Sequence, residues 1–220
     1  MLCPVSDWVE HFCYTLVMQI LIGIDEVGRG SIAGPVSVGS FSLLQSREKS
    51  FIQKVKKHGL KFADSKKLTK QQRDLWYAFL LEAKQKKLCD FNVEHVSNTY
   101  IDEKGISRAI SAAIKKIVTP HLLYAQKCEV ALDGGLRAPS AFKKQKTIIK
   151  GDEKIFVIMC ASIVAKVRRD TLMKKESLRF PLYGFEQHVG YGTKIHFARI
   201  KEHGPSPIHR KSFLKSLPLE

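Results

Sequence analysis

The feature that most constrains the fold is a pair of adjacent carboxylates closing an apolar run, in the stretch LIGIDEVGRGSIAGPV from Leu21 to Val36. The run reads as a core strand. Successive side chains on a strand point to opposite faces, so a regular strand cannot aim both Asp25 and Glu26 at one site. The expectation is that the strand ends at this pair and that the glycine-rich segment after it turns the chain.

Residues 20 to 25 and 35 to 43 then read as two strands of an antiparallel hairpin. Thr69 and Gln72 have the spacing of a capping box, and Leu75, Phe79, Leu80 and Ala83 follow at helical intervals, which predicts a helix over about 70 to 86. Cys89, Phe91 and Val93 alternate with polar residues as a third strand does. Ile106, Ala109, Ile110, Ala113 and Ile117 trace the apolar stripe of a second helix. CEVAL (128 to 132) and Thr147 to Ile149 read as short strands that stop at Asp133-Gly134-Gly135 and Gly151-Asp152. A long helix carrying Ile155, Ile158, Met159 and Ile163 comes next, and loops at 190 to 193 and 204 to 210 flank a helix over about 194 to 203. This order predicts one α/β domain, a mixed β-sheet flanked by α-helices, over 20 to 220. It carries a helical C-terminal appendage, and residues 1 to 19 form an N-terminal extension.

Charge narrows the partner. Lys and Arg number 37 against 21 Asp and Glu, a formal charge of +16, and the excess is gathered in three segments, 54 to 87, 143 to 175 and 194 to 215. Such a surface suits a polyanion. The five cysteines, Cys3, Cys13, Cys89, Cys128 and Cys160, show no C-x-x-C spacing, which argues against a disulfide framework or a zinc site and fits a reducing cytoplasm. The apolar run from Phe12 to Ile24 lacks a preceding basic residue and is too short to span a bilayer, so no membrane association is expected.

Three apolar strands end in an acid beside glycine: Ile24-Asp25-Glu26, Leu132-Asp133-Gly134 and Lys150-Gly151-Asp152. If those strands are neighbours the four carboxylates converge, and like charges so placed need a neutralising cation. Oxygen ligands without histidine or cysteine suit Mg2+ or Mn2+. In a basic protein that combination points to phosphoryl chemistry, with two ions about 4 Å apart activating water and stabilising the leaving oxygen. The spacing Gly28-x-Gly30-x-x-x-Gly34 also invites a dinucleotide reading. It fails because two acids sit where a pyrophosphate would arrive, and Pro35 opens a strand where a helix N-terminus is needed.

GIDEVGRGSIAGPV resembles the signature of the type 2 ribonucleases H, specifically bacterial ribonuclease HII. DSKKLT (64 to 69), LDG (132 to 134), KGD (150 to 152), ASIVAKVRRD (161 to 170), YGFEQHVGYGT (183 to 193) and GPSPIHRKSF (204 to 213) follow in that family's order. The resemblance implies a ribonuclease H-like fold and an endonuclease, and the chain is expected to act as a monomer. Its substrates would be RNA in RNA/DNA hybrids and ribonucleotides embedded in duplex DNA, cut on the 5′ side to leave a 3′-hydroxyl and a 5′-phosphate. It implies Asp25, Glu26, Asp133 and Asp152 as catalytic metal ligands. Gly28, Arg29 and Gly30 would read the 2′-hydroxyl, the group that distinguishes RNA from DNA, and Tyr191 would stack on the neighbouring sugar.

Lys66 and Lys67 are expected to contact phosphate. Asp170 reads as a structural ion pair beside Arg168 and Arg169, His209 as a hydrogen-bonded structural histidine, and Arg210 as a partner of either acids or phosphate. Gly135 stands where the family usually has asparagine and Val189 where a lysine is common. Two alternatives are a ribonuclease HIII, which lacks the arginine between the glycines and carries a further N-terminal domain, and a basic binding protein without catalysis, which would not need four acids at strand ends.

Overall fold

The computed structural model describes residues 18 to 215, so the N-terminal extension, apart from its last two residues, and the closing residues 216 to 220 lie outside the described residues. Five strands form one mixed sheet: β1 (Ile20–Val27), β2 (Val36–Leu44), β3 (Asp90–Val96), β4 (Cys128–Asp133) and β5 (Lys144–Ile148). Their spatial order is β3-β2-β1-β4-β5, with β1, β2 and β3 antiparallel and β1, β4 and β5 parallel. The hairpin and the mixed sheet are as expected. β1 is central.

The helices are α1 (Glu48–Lys57), α2 (Lys70–Gln85), α3 (Asn98–Lys104), α4 (Ile106–Val118), α5 (Gly151–Lys154), α6 (Phe156–Arg179), α7 (Phe185–His188), α8 (Lys194–His203) and α9 (Lys211–Leu214). Sheet parity assigns the two cores. Ile20, Ile22 and Ile24 of β1 join Cys128, Val130 and Leu132 of β4 and the apolar stripe of α4 on one face. Leu21 on the other face lies with Phe41, Leu43 and Phe91 against α6, α2 and α1. Each fully buried aliphatic side chain contributes about 1.5–3 kcal/mol.

Two glycines let α6 lie close to the sheet. A Cβ on Gly23 would stand 2.1 Å from the Val157 carbonyl, and one on Gly39 would stand 2.5 Å from the Ala161 oxygen. Both belong to the face that carries Asp25.

Four local readings need correction. α2 starts with the expected capping box, Gln72 N to Thr69 Oγ1 at 3.2 Å and Thr69 N to Gln72 Oε1 at 2.9 Å. Its inner position, however, is Trp76, which donates to the Lys61 carbonyl at 2.8 Å, and Leu75 is 56% exposed. β5 begins at Lys144, before the expected start, and Ile149 lies beyond it, 75% exposed. The lysines that hide this strand from an apolar pattern suit a sheet edge, where charge blunts unwanted pairing. α5 interrupts the expected long helix and puts Asp152 on one helical turn, with Ile155 extended before α6 begins. α1 and α3 were not anticipated.

The C-terminal appendage packs Tyr183, Phe185, Ile200 and Leu214 onto Ile32, Ala33 and Met173. Three imidazoles lie inside it, with His188 stacked on His196 at 4.1 Å and His196 Nε2 at 3.0 Å from His209 Nε2. Partners set the tautomers. Ser206 N donates to His209 Nδ1, so His209 Nε2 carries the proton given to His196, whose Nδ1 in turn donates to the Tyr191 carbonyl at 2.8 Å. This relay needs both rings neutral, and burial pushes His196 and His209 down to about 4. Unfolded histidine titrates near 6.5, so the unfolded chain binds more protons between those values. Stability from these rings is therefore full above about pH 6.5 and lost as pH falls toward 4. The imidazole NMR signals of both residues are expected to stay unprotonated down to pH 5, while the thermal midpoint drops across that window. Titration near 6.5 would contradict the relay.

Candidate active site

The pairing of β1 with β4 ends at Ile24 opposite Leu132, which makes Asp25 and Asp133 the next residues on adjacent strands. By parity both stand on the face covered by α6. Neighbouring strands lie about 4.8 Å apart, so the two carboxylates are side by side. β1 itself does not end at the acidic pair: it continues against β2, with Asp25 opposite Gly39, Glu26 opposite Val38 and Val27 opposite Ser37. What stops is the parallel partner. Past Asp133 that side of β1 is open, and across the open edge the charge of Asp133 still acts on Glu26.

Asp25 is 5% exposed, accepts the Glu26 amide at 2.8 Å and is hydrogen-bonded to Ser162 on α6. Burial pushes its carboxyl up to about 8; the Ser162 bond opposes the shift and the charges of Glu26 and Asp133 add to it. Glu26, displaced upward chiefly by burial, turns its Oε1 to Arg29 Nη1 at 3.4 Å while still feeling Asp133. Asp133 Oδ1 accepts the Gly151 amide at 2.6 Å, which ties the end of β4 to the turn that carries Asp152. Asp152 is raised by burial and by the neighbouring charges of Asp64 and Asp133. The four expected acids thus form a chain of electrostatic neighbours. Among the described residues no three such donors are close enough to make a closed metal cage.

Asp64 and Ser162 were missed by sequence reasoning. Asp64 is buried, caps its own turn through the Lys66 amide at 2.9 Å and is a fifth acid beside Asp152. Its position in DSKKLT was the available signal. Ser162 also meets Ser65 at 2.8 Å, and nothing in a helical pattern distinguishes it from packing.

Lys66 Nζ stands 3.8 Å from Asp152 Oδ2 and Lys67 Nζ 3.0 Å from Glu153 Oε1. Partial burial works against the Lys66 charge, but Asp64, Asp152, Asp25 and Asp133 outweigh it and hold the ammonium protonated. Both ammonium groups face solvent, which screens their pairs, so either lysine is easily released to a phosphate.

Gly28, at φ +80°, opens the loop after β1; Arg29 and Gly30 are exposed. Gly30 and Tyr191 line one shallow recess with Ile32, Phe197 and Phe213. Asp170 forms an ion pair as expected, but with Lys166 at 2.9 Å, because Arg169 turns into the core and α6 continues past it. His209 is structural. Arg210 is buried and donates to main-chain carbonyls.

Known proteins resemble this chain in sequence and in fold. The family model for Ribonuclease HII matches residues 22 to 216. The chain is 40% identical over 199 residues to ribonuclease HII of Caldicellulosiruptor saccharolyticus, covering 90% of this chain and 89% of that one. It is 38% identical over 200 residues to ribonuclease HII of Bacillus licheniformis, covering 89% and 69%. Among solved structures, the complex of PCNA with RNase HII from Archaeoglobus fulgidus superimposes with TM-score 0.68 at 23% identity, over 91% of this chain and 96% of that one. Bst-RNase HIII in complex with Mn2+ superimposes with TM-score 0.59 at 17% identity, over 92% and 67%. These two share the ribonuclease H-like fold. From the family match and the two curated relatives, the chain belongs to the ribonuclease HII family of hydrolytic endoribonucleases.

Proposed function

We propose that this endoribonuclease hydrolyses RNA in RNA/DNA hybrids and cuts 5′ of ribonucleotides embedded in duplex DNA, leaving a 3′-hydroxyl and a 5′-phosphate. It would act as a monomer in the cytoplasm, as the incising step of ribonucleotide excision during DNA replication and repair. One observation carries the reading: Asp25 and Asp133 stand side by side at the open end of the β1 to β4 pairing, directly before the Gly28-Arg29-Gly30 loop.

The donor set fits Mg2+ or Mn2+. All candidate ligands are hard carboxylate oxygens, and Asp25, Glu26 and Asp152 are displaced upward chiefly by burial and further by neighbouring carboxylates, so a bound cation would stabilise their charged forms. Asp25, Glu26, Asp133 and Asp152 would hold the ions, which when bound supply a nucleophile at neutral pH and stabilise charge on the leaving oxygen. The chain's own part is orientation. Ser162 and the Glu26 amide aim Asp25, and the Gly151 amide aims Asp133. Gly30 leaves open space where a Cβ would stand, so the loop backbone is free to approach a ribose hydroxyl. Tyr191, beside it in the recess, offers a ring to the adjoining sugar. Lys66 and Lys67 would exchange their carboxylate partners for backbone phosphate. The +16 charge brings the polyanion to a site whose own acids would repel it.

The test is a DNA duplex bearing one ribonucleotide, incubated with Mg2+ or Mn2+. A single cut 5′ of the ribonucleotide is expected. Cleavage confined to runs of ribonucleotides would overturn the assignment to embedded ribonucleotides.

A further inference from the structure

Two arginines are fully buried beside the substrate loop. Arg169 lies on α6 and Arg210 immediately precedes α9, and neither side chain reaches solvent. Taking a guanidinium out of water costs several kcal/mol unless its donors are satisfied. Among the described residues, every hydrogen bond these two groups make goes to a main-chain carbonyl. Arg210 donates from Nε to Gly34 at 2.9 Å, from Nη1 to Arg29 at 2.9 Å and from Nη2 to Gly28 at 2.7 Å. Arg169 donates from Nε to Pro35 at 3.0 Å, from Nη2 to Ala33 at 3.3 Å and from Nη1 to Val189 at 2.8 Å.

Five of those six carbonyls belong to the segment 28 to 35, and the sixth lies two residues before Tyr191. Val189 is a β-branched residue in the left-handed region, φ 43° and ψ 38°, a conformation that persists only where surrounding contacts enforce it. Its bond to Arg169 is one such contact. Gly28 is tied to the same arginine, since a Cβ there would stand 2.1 Å from Arg169 Nε. The Arg169 guanidinium also lies 5.7 Å from the centre of the Tyr191 ring.

We propose that Arg210 and Arg169 are positioning residues for ribose recognition. Their planar forks lock the Gly28-Arg29-Gly30 backbone and the Val189 to Tyr191 turn into one unit, so discrimination between ribose and deoxyribose depends on side chains that do not touch the substrate. This rests on the reading of that loop and Tyr191 as the ribose sensor. A lysine cannot substitute, because its ammonium presents its donors at one point and cannot span three carbonyls. The unit is anchored from outside by α3. Asn98 Nδ2 donates to the Pro207 and His209 carbonyls at 3.0 and 3.1 Å, and the Asp102 carboxylate accepts the Lys211 and Ser212 amides, both at 2.9 Å.

The experiment compares Arg210→Lys, Asp102→Ala and Gly30→Ala with the parent on two duplexes that differ by one ribose or deoxyribose. Thermal midpoint, affinity for the all-DNA duplex and kcat/KM on the ribose duplex are measured. For Arg210→Lys, a folded protein with unchanged all-DNA affinity and a fall in kcat/KM of about 10–100-fold is expected, the usual scale for groups that orient a site. A purely structural brace would lower the midpoint and leave the ratio of ribose turnover to DNA affinity unchanged, and that result overturns the proposal. Should Arg210→Lys fail to fold, Asp102→Ala decides, because it releases Arg210 from outside: a reduced ratio supports the proposal and an unchanged one overturns it. Gly30→Ala separates the two readings. If it keeps the ratio, the loop is not the ribose sensor and both fall. If it loses the ratio while the other two variants keep it, only the positioning role falls.

Discussion

Asp133→Asn is expected to lower cleavage of a ribonucleotide-containing duplex by about a thousandfold or more, the several kcal/mol that a correctly held metal supplies to the transition state. The fold should survive. Asparagine keeps the Oδ1 acceptor that receives the Gly151 amide at 2.6 Å, so the end of β4 stays tied to the turn before α5. Duplex affinity should also survive, because the basic surface is untouched and one repelling charge is gone. Gel-shift binding and gel-resolved cleavage, run on the same preparation, check both halves. Near-normal turnover would remove Asp133 from the site.

Gly23→Ala is expected to have the largest effect on stability. The new Cβ would lie 2.1 Å from both the carbon and the oxygen of the Val157 carbonyl and 2.5 Å from Ile158 N, all main-chain atoms of α6 that no rotamer change can move. α6 must lift from the sheet, and it carries Val157, Met159, Cys160, Ile163 and Val164 into the core as it packs. Overpacking of this kind costs about 3 kcal/mol or more, which for a chain of this size lowers the thermal midpoint by roughly 6–12 °C. Denaturant and thermal unfolding measure it. Activity should fall as well, since Ser162 on the same helix orients Asp25. Gly30→Ala is the control, because its Cβ meets open space. Equal drops in thermal midpoint from the two alanines would refute this account of Gly23.

Patterns of period two and 3.6 were legible wherever one side of an element faces the core. The β1-β2 hairpin, the α4 stripe and the α2 capping box follow from such local rules. They failed where tertiary packing overrode them. Trp76 displaced Leu75 from the inner face of α2, and β5 is built from an edge sequence with lysines at 144 and 146 that no alternation of apolar residues announces. Arg210 was ambiguous because a sequence shows the charge of a guanidinium and not its partner, and main-chain carbonyls leave no compositional trace.

The site divides along the same line. The amino-acid order alone determined that acids close apolar strands beside glycine, that the chain is strongly basic, and that its motif blocks follow those of ribonuclease HII. Only the tertiary structure decided that β1 outruns β4 by Glu26 and Val27, that Asp64 and Ser162 join the acids, and that two buried arginines lock the Gly28 to Pro35 loop to the Tyr191 turn. The physical reason is range. Strand, helix and cap propensities act between residues a few positions apart, whereas desolvation, charge crowding and the donors of a buried guanidinium depend on segments more than a hundred residues apart in the chain meeting in space.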